Sequence, residues 1–319
     1  MKMKMAGTVV VVVLLVGLSL RSPAPAPAST PKDGAASAPA GQPVAEGPIL
    51  ILTAINAEEL AIRPLLEGPK ESRYEGLTIT SGVLSGNRTV IARVGCGKVN
   101  AAMVATMLVL RFRPTCVLFS GVAGGLAQDV QPGDVLVAEK TLQHDYMIAE
   151  ESGNTIQATR NPFTGRRNPT YFPADPRLLA AARRAAAQKP EMDPVRVASG
   201  LRRVRLRFGT VATGDVFVAS AARREEIRKS CNADAVEMEG AAVAQVCAQL
   251  DVPLLVIRAV SDTADGNAVK DFDAFCKQAA VNSAKVLQAV VKNLDRQEKG
   301  EETSSPATGQ STTAEGKTQ

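Results

Sequence analysis

Four acidic residues stand at or just beyond the ends of apolar runs in this sequence: Glu58, Glu237, Glu239 and Asp262. In open α/β sheets, ligands bind at the carboxyl ends of the strands, so these carboxylates are the first candidates for chemistry. Two separate carboxyl groups can supply an acid for a leaving group and a base for a water molecule, as the breaking of a glycosidic bond requires. The pattern therefore indicates acid–base chemistry on a bound small molecule.

Each of these carboxylates also has a possible structural explanation. Glu58 and Asp262 could cap helix N-termini, where acidic residues are favoured. Glu237 and Glu239, two residues apart in a segment expected to be extended, would point to one face, and such a pair beside an apolar strand is harder to explain structurally. A buried carboxylate needs a hydrogen-bonding partner, and the hydroxyls of a sugar would serve.

A glycine-rich segment, Ser120 to Gly125, follows another apolar run and is expected to be a loop. Its Gly-x-x-Gly-Gly spacing is not the dinucleotide-binding fingerprint, and no acidic residue follows at the expected distance. The glycines predict either a close approach of backbone N–H groups to a ligand or a tight turn that requires positive φ.

His144 is the only histidine, so a Ser-His-Asp mechanism would depend on it alone. No nucleophile elbow of the form Gly-x-Ser-x-Gly is present, which leaves that mechanism poorly supported. We expect His144 to be a loop residue.

The cysteines do not have the close pair spacings that metal sites use. Their odd count argues against a complete disulfide framework. We expect all of them to be small core residues; they are Cys96, Cys116, Cys231, Cys247 and Cys276.

The composition is typical of a globular protein and does not favour nucleic-acid binding. Of the 319 residues, 45% are hydrophobic and 22% are charged, and 37 Lys and Arg stand against 32 Asp and Glu. That balance allows a sizeable core. The Arg-rich segment from Arg202 to Arg207 lacks the interleaved aromatic residues on which a single-strand binder would stack bases. We expect a solvated basic surface there and no nucleic-acid partner.

The two ends of the chain differ from its middle. Residues 1–28, with Lys2 and Lys4 ahead of an apolar run, predict a signal peptide and hence export to the periplasm or the cell exterior. An uncleaved N-terminal anchor, which would tether the protein to a membrane, is the alternative. Residues 29–47 predict a disordered Pro/Ala-rich linker, and residues 296–319 a disordered tail, because neither can bury enough apolar surface. The folded domain is expected over residues 48–295.

Within that domain, short apolar runs alternate with longer amphipathic ones, which is typical of an α/β fold. Helices are predicted at Glu58–Leu66, Lys98–Arg111, Gly240–Leu250 and Asp271–Leu294. Strands are predicted at Ile49–Thr53, Thr89–Val94, Cys116–Ser120, Asp134–Ala138, Phe208–Thr213, Ala235–Met238 and Leu254–Val260.

Four motifs in this order resemble the 5′-methylthioadenosine/S-adenosylhomocysteine nucleosidases of the nucleoside phosphorylase superfamily. They are Val94-Gly-Cys-Gly-Lys-Val-Asn-Ala-Ala102, Ser120-Gly-Val-Ala-Gly-Gly-Leu126, Val236-Glu-Met-Glu-Gly-Ala-Ala242 and Arg258-Ala-Val-Ser-Asp262. The resemblance runs from about Ile49 to Leu294. It implies a three-layer α/β/α sandwich around a twisted mixed sheet, a homodimer whose neighbour helps to wall the substrate pocket, and a reaction that needs neither metal nor cofactor.

The resemblance also implies catalytic roles. Asp262 would protonate N7 of adenine, which makes the base a leaving group. Glu58 would orient and deprotonate the attacking water, and Glu239 would hold the ribose hydroxyls and stabilise the cationic sugar. Such an acid requires a pKa raised by burial.

Further residues are implied in substrate binding. Phe217 would stack on adenine and the Val218 backbone would hydrogen-bond it, while Met238 would pack against the ribose. The rest of the implied set supports the acid or lines the water and ribose region; it comprises Ser261, Arg258, Glu237 and the backbone of Ala123 and Gly124.

Hydrolysis and phosphorolysis are both possible on this fold. Glu58 favours hydrolysis because a carboxylate suits a water molecule and repels phosphate, whereas Arg93 and Arg258 keep a purine nucleoside phosphorylase as an alternative. A third possibility is an exported, non-catalytic nucleoside-binding protein, which the presence of both Glu58 and Asp262 disfavours.

Two features depart from the family pattern. Val122 stands where many of these nucleosidases have Ser or Thr, so one hydrogen bond near the water would be missing. Residues 144–207 form a longer, Arg-rich segment that no motif places. We expect it to shape substrate access.

Overall fold

The computed structural model describes residues 47–151, 153–197 and 200–294. The predicted signal peptide or anchor, residues 29–46 of the predicted linker, and the predicted tail lie outside the described residues and stay predictions. In the described ranges, no helix is both long enough and apolar enough to cross a membrane.

The elements alternate along the described chain as an α/β fold requires. The helices are α1 Asn56–Ile62, α2 Lys98–Phe112, α3 Pro176–Ala187, α4 Ala221–Cys231, α5 Gly240–Gln249 and α6 Ala268–Leu294, with a short 3-10 turn at Arg63–Leu65. The strands are β1 Ile49–Thr53, β2 Glu67–Tyr74, β3 Leu77–Leu84, β4 Asn87–Arg93, β5 Cys116–Gly125, β6 Val135–Gln143, β7 Met147–Glu150, β8 Gly153–Ile156, β9 Phe172–Pro173, β10 Val195–Val197, β11 Gly200–Arg202, β12 Leu206–Thr213, β13 Ala235–Glu237 and β14 Leu254–Asp262.

Each helix and strand predicted from periodicity is present, with its ends displaced by a few residues. The sequence analysis did not predict β2, whose side chains are almost all exposed, nor β3, α4 or the additional elements of residues 144–207. That Arg-rich segment forms the hairpin β7–β8, strand β9, helix α3 and the hairpin β10–β11. Exposed hairpins bury little apolar surface, so their hydrophobic patterns are weak.

The sheet is mixed, and part of it closes on itself. In the described residues it has ten strands in the order β13-β12-β6-β14-β5-β1-β4-β3-β2, with β9 paired to β6. Strand β1 runs parallel to β4 and β5, and β14 runs parallel to β5. Strand β13 also pairs with the end of β5, which closes a circuit of five strands. This closure places Val236 of β13 opposite Gly124 and Ala235 opposite Gly125 at the end of β5.

Helices cover both faces of the sheet, which confirms the three-layer α/β/α architecture. Along β1, Leu50 and Leu52 pack with α2 and α5 on one face, whereas Ile49 and Ile51 pack with α1, α3 and α6 on the other. All five residues of β1 are buried because both of its faces are covered.

The glycine-rich segment is a strand, not the predicted loop. Strand β5 continues through Gly125, and none of its glycines has positive φ. Glycine is needed there because other side chains come close: a Cβ at Gly121 would lie 2.2 Å from Nη1 of Arg258, and one at Gly124 would lie 2.8 Å from Oδ1 of Asp262. The prediction of a tight turn with positive φ is therefore wrong, and the predicted approach of a ligand to the backbone stays a prediction.

Candidate active site

A cavity of about 120 Å³ opens at the ends of β1, β5, β13 and β14. Ten of the eleven predicted site residues line it. The exception is Arg258, which is buried against Glu237 and Phe119. The lining residues are Glu58, Cys96, Val122, Ala123, Gly124, Val216, Phe217, Val218, Val236, Glu237, Met238, Glu239, Ser261, Asp262 and Phe272.

Glu58 both caps a helix and lines the cavity. Its Oε2 accepts hydrogen bonds from the backbone N–H groups of Ala54 at 2.6 Å and Ile55 at 3.0 Å, which caps α1. Its Oε1 accepts one from the Val122 N–H at 3.0 Å, which ties α1 to β5. Burial raises the pKa of Glu58, while the positive charge of Arg258 opposes that rise. The capping explanation is therefore correct and leaves the carboxylate available to the cavity.

Arg258 is a fully buried cation at the base of the site. Its Nη2 and Nε donate to Oε2 of Glu237 at 2.5 and 3.2 Å, and its guanidinium carbon lies 4.1 Å from the centroid of the Phe119 ring. Its Nη1 has no hydrogen-bond partner among the described residues. This nitrogen and Oε1 of Glu58 both lie close to the position that a Cβ on Gly121 would occupy. A buried charge must be paired, and Glu237 supplies the pairing.

The Glu237 carboxylate accepts hydrogen bonds from several protein groups. Besides Arg258, it accepts from the Thr213 hydroxyl and from the backbone N–H groups of Glu239 at 3.1 Å and Gly240 at 2.7 Å. These contacts cap α5, so Glu237 orders the site although it also lines the cavity. The expectation that Glu237 and Glu239 share one face of an extended segment is wrong, because the strand ends at Glu237 and helix α5 begins at Gly240.

Glu239 holds the start of α2. Its Oε1 accepts from the Gly97 N–H at 2.9 Å, and its Oε2 lies 3.9 Å from Nη2 of Arg258. Burial and the nearby Glu237 carboxylate raise the pKa of Glu239 to about 8, although Arg258 acts in the opposite direction. Its carboxylate makes fewer protein contacts than that of Glu237, which suits it to bind a ligand.

Asp262 lies at the end of β14, apart from the Arg258 network. The Ser261 hydroxyl donates to its Oδ2 at 2.7 Å, and the Ala264 N–H donates to its Oδ1 at 2.8 Å. Burial raises the pKa of Asp262, and the two hydrogen bonds limit the rise. The contact with Ala264 is a local turn, and α6 begins only at Ala268, so Asp262 does not cap a helix.

Aromatic and aliphatic side chains form the remaining wall. The rings of Phe217 and Phe272 meet edge to face, with centroids 5.7 Å apart. Phe272 was not predicted, because it lies in the first turns of α6 and no motif marks it. Cys96 could have been found, since it stands inside the Gly-Cys-Gly motif. It is exposed at the cavity, whereas the other four cysteines are buried, so the core prediction is wrong for Cys96 alone.

His144 and Arg93 lie outside the cavity lining. His144 follows β6 in a bend and is only 2% exposed, and burial lowers its pKa. Arg93 is a surface residue that donates to Asn56 at 3.0 Å and lies 3.7 Å from Glu59. Neither residue is placed to act on a molecule in the cavity.

The fold and the site define a member of the phosphorylase superfamily: the family model matches residues 48–292, and the chain belongs to that family. The family resemblance read from the motifs is thereby confirmed. A 5′-methylthioadenosine/S-adenosylhomocysteine nucleosidase of Mycobacterium bovis is 35% identical over 240 residues, which are 74% of this chain and 94% of that one.

Two solved structures are similar over the same region. The nucleosidase of the same name from Neisseria meningitidis, in complex with methylthio-immucillin-A, is 35% identical with a TM-score of 0.64, covering 76% of this chain and 98% of the other. Futalosine hydrolase of Helicobacter pylori is 33% identical with a TM-score of 0.63, covering 76% and 96%.

The buried ion pair generates a stability prediction. Replacing Glu237 by Gln removes the carboxylate that is hydrogen-bonded to the buried Arg258, so we expect a loss of about 3–5 kcal/mol in the free energy of unfolding, measured by urea denaturation at pH 7. The matched control is Glu139→Gln, which breaks the half-exposed pair of Glu139 with Arg183 and should cost less than about 1 kcal/mol. Equal losses in the two variants would contradict this account.

Proposed function

We propose that this chain hydrolyses the bond between adenine and ribose in 5′-methylthioadenosine, S-adenosylhomocysteine or a related purine nucleoside. The observation that carries the proposal is a cavity lined by four buried carboxyl groups, of which Glu237 is paired with Arg258 and the other three, Glu58, Glu239 and Asp262, are in different surroundings. The similarity to nucleosidases of that specificity supports it.

Asp262 is the acid that protonates N7 of adenine. An acid must hold its proton until the base needs it, and burial raises the pKa of this carboxyl. Ser261 and the Ala264 N–H hold its two oxygens in place. Phe217 stacks on the adenine ring beside it, and the Val218 backbone hydrogen-bonds the base.

Glu58 is the base that activates water. Its carboxylate is oriented by three backbone N–H groups; burial raises its pKa, which suits a proton acceptor, and the adjacent Arg258 opposes that rise. Nη1 of Arg258, which has no hydrogen-bond partner among the described residues, lies beside Oε1 of Glu58 behind the cavity wall. Val122 contributes only its backbone to this region.

Glu239 binds the ribose hydroxyls and stabilises the cationic sugar of the transition state. Its contact with the Gly97 N–H orients the carboxylate, and Met238 packs on the sugar. The backbone of Ala123 and Gly124 borders the same part of the cavity. Because burial and Glu237 raise the pKa of Glu239 to about 8, its electrostatic stabilisation of an oxocarbenium-like sugar comes from the ionised fraction, whereas either form can hydrogen-bond the ribose hydroxyls.

Water is the nucleophile that this arrangement favours over phosphate. A phosphate in the cavity would face the Glu58 carboxylate, and Arg258 is already paired with Glu237. Arg93 pairs with Asn56 and Glu59 on the surface and does not line the cavity.

The test is adenine release from 5′-methylthioadenosine by the purified full chain, with and without phosphate. We expect release at the same rate in both buffers, because the nucleophile is water. Release only with phosphate would make the protein a phosphorylase. No release under either condition would favour a nucleoside-binding protein.

The acid role of Asp262 generates a pH prediction. Because Asp262 works only when protonated, kcat/KM should fall as pH rises through its raised pKa. The Ser261 hydroxyl lowers that pKa, so Ser261→Ala should move the alkaline limb upward by about one pH unit.

The matched control for this pH profile is Thr263→Ala. It removes a similar hydroxyl-to-carboxylate bond, at 2.8 Å to Asp265, close to the site in sequence but outside the cavity lining. The control should leave the alkaline limb in place. A limb that stays fixed in Ser261→Ala, or moves downward, would argue against Asp262 as the acid.

We also propose that the protein is a homodimer. Helix α2 presents Val99, Met103 and Leu110 to the surface at 78%, 56% and 62% exposure, and these positions recur at helical spacing. An exposed apolar stripe of this kind is typical of an interface. Sedimentation of the full chain tests the proposal: a species of twice 33.4 kDa is expected, and one of 33.4 kDa would contradict it.

Export is a further proposal, which rests on the charged and apolar composition of residues 1–28. Fractionation of the producing cells tests it. Protein outside the inner membrane is expected, and protein confined to the cytoplasm would contradict it.

A further inference from the structure

Residues Gly214 to Val218, here called the base loop, carry three of the apolar residues that line the cavity. These are Val216, Phe217 and Val218. Val216 and Phe217 are 45% and 44% exposed, so burial alone does not hold them in place. Between residues 216 and 219, no hydrogen bond to the rest of the described chain is found. Besides the core packing of Val218 and the ring contact of Phe217 with Phe272, the base loop is held by hydrogen bonds to other described residues only at its first two residues.

The first of these, Gly214, is fixed by close packing. Its N–H donates to the Glu237 carbonyl oxygen at 3.0 Å. The imidazole of His144 lies so close that a Cβ at Gly214 would be 2.2 Å from its Nε2. Only glycine fits against this ring.

The second, Asp215, is held at both its backbone and its side chain. Its N–H donates to Oδ2 of Asp145 at 2.9 Å, and its Oδ1 accepts from the Lys98 N–H at 2.7 Å. The ammonium of Lys98 donates to Oδ1 of Asp145 at 2.6 Å and to Gln143 at 3.1 Å. Lys98, Asp145 and Asp215 thus form a closed set of contacts in which each residue holds the other two.

The same contacts join the base loop to the ribose side of the cavity. Helix α2 begins without a side-chain cap of its own, because Gly97 occupies the cap position. Two consecutive amides at its start are satisfied from distant parts of the chain: Gly97 donates to Glu239, and Lys98 donates to Asp215. Carboxylates are favoured at such unpaired amides. One helix end therefore sets the relative positions of Glu239 and the base loop.

We propose that Asp215 is a positioning residue, whose carboxylate locks the base loop onto the start of α2 and so sets Phe217 relative to Glu239. The inference rests on the proposed function for the identity of the ligand. Asp215 is absent from the cavity lining, so its effect passes through the loop.

The expected signature is a split between KM and kcat. Stacking on adenine is present both in the bound substrate and in the transition state, so its loss weakens binding without changing the chemical step. We expect Asp215→Ala to raise KM for 5′-methylthioadenosine, and the Kd for adenine, about tenfold, because the variant's base loop has lost its anchor and must be ordered on binding. kcat should stay within about threefold of the wild-type value.

Asp175→Ala is the matched control. Asp175 also caps a helix, α3, by accepting from the N–H groups of Arg177 at 2.9 Å and Leu178 at 3.2 Å, but it does not line the cavity. Both variants should lower the Tm, and only Asp215→Ala should change KM. Asp215→Asn, which retains an acceptor for the Lys98 N–H, should give an intermediate KM and keeps the test valid if the alanine variant does not fold.

The experiment measures kcat and KM for 5′-methylthioadenosine, and the Kd for adenine by calorimetry, on the full chain and its variants. If the wild type is active while the Asp215 variants match Asp175→Ala in KM and Kd, or lose only kcat, the inference is overturned and the proposed function stands. If the wild type releases no adenine, the proposed function fails, and the inference fails with it.

Discussion

The burial of the Arg258 guanidinium among carboxylates is the constraint on which the site depends. Its ion pair with Glu237 is almost inaccessible to solvent, and Glu58 and Glu239 also interact with its charge. Removing these ions from water costs several kcal/mol for each of them, so the arrangement is stable only if each group is paired and hydrogen-bonded. The contacts of Glu237 with Thr213 and the start of α5 meet that requirement. Gly121 leaves the space that the guanidinium occupies.

The cavity carboxyl groups differ in whether the positive charge of Arg258 acts on them. Glu58 and Glu239 lie within reach of its charge, whereas Asp262 is affected chiefly by burial, by two hydrogen bonds and by distant acidic groups. A site that breaks a glycosidic bond needs such a difference, because one carboxyl must give a proton while another remains able to accept one. Burial raises the pKa of all three groups, and Arg258 opposes that rise only at Glu58 and Glu239, which distinguishes their surroundings from those of Asp262.

Much of the fold could be predicted from the sequence because the central strands are buried on both faces and appear as continuous apolar runs. Strand β2 was not predictable in this way, since its side chains face solvent and its pattern is polar. The extension of β5 through its glycines was also misjudged. A glycine can serve a turn or a close approach, and only the fold shows that Arg258 and Asp262 are the approaching groups.

The carboxylates of the site were predictable because they follow predicted strands and belong to motifs. Phe272 and Asp215 could not be predicted in this way. Phe272 reaches the cavity from the start of α6, and Asp215 acts through Lys98, which is 117 residues away in sequence. Contacts of this kind depend on the closure of the sheet and on where each helix begins, which no local pattern encodes.

The most direct test of the account is the turnover of the Asp262→Asn variant at saturating 5′-methylthioadenosine, measured together with substrate binding. The variant keeps the shape of the side chain and loses the proton that adenine requires. The account predicts that the substrate still binds while adenine release slows by about 10²–10⁴-fold, the usual contribution of a general acid. Turnover within about tenfold of the wild-type rate would contradict the assignment of Asp262 as the acid.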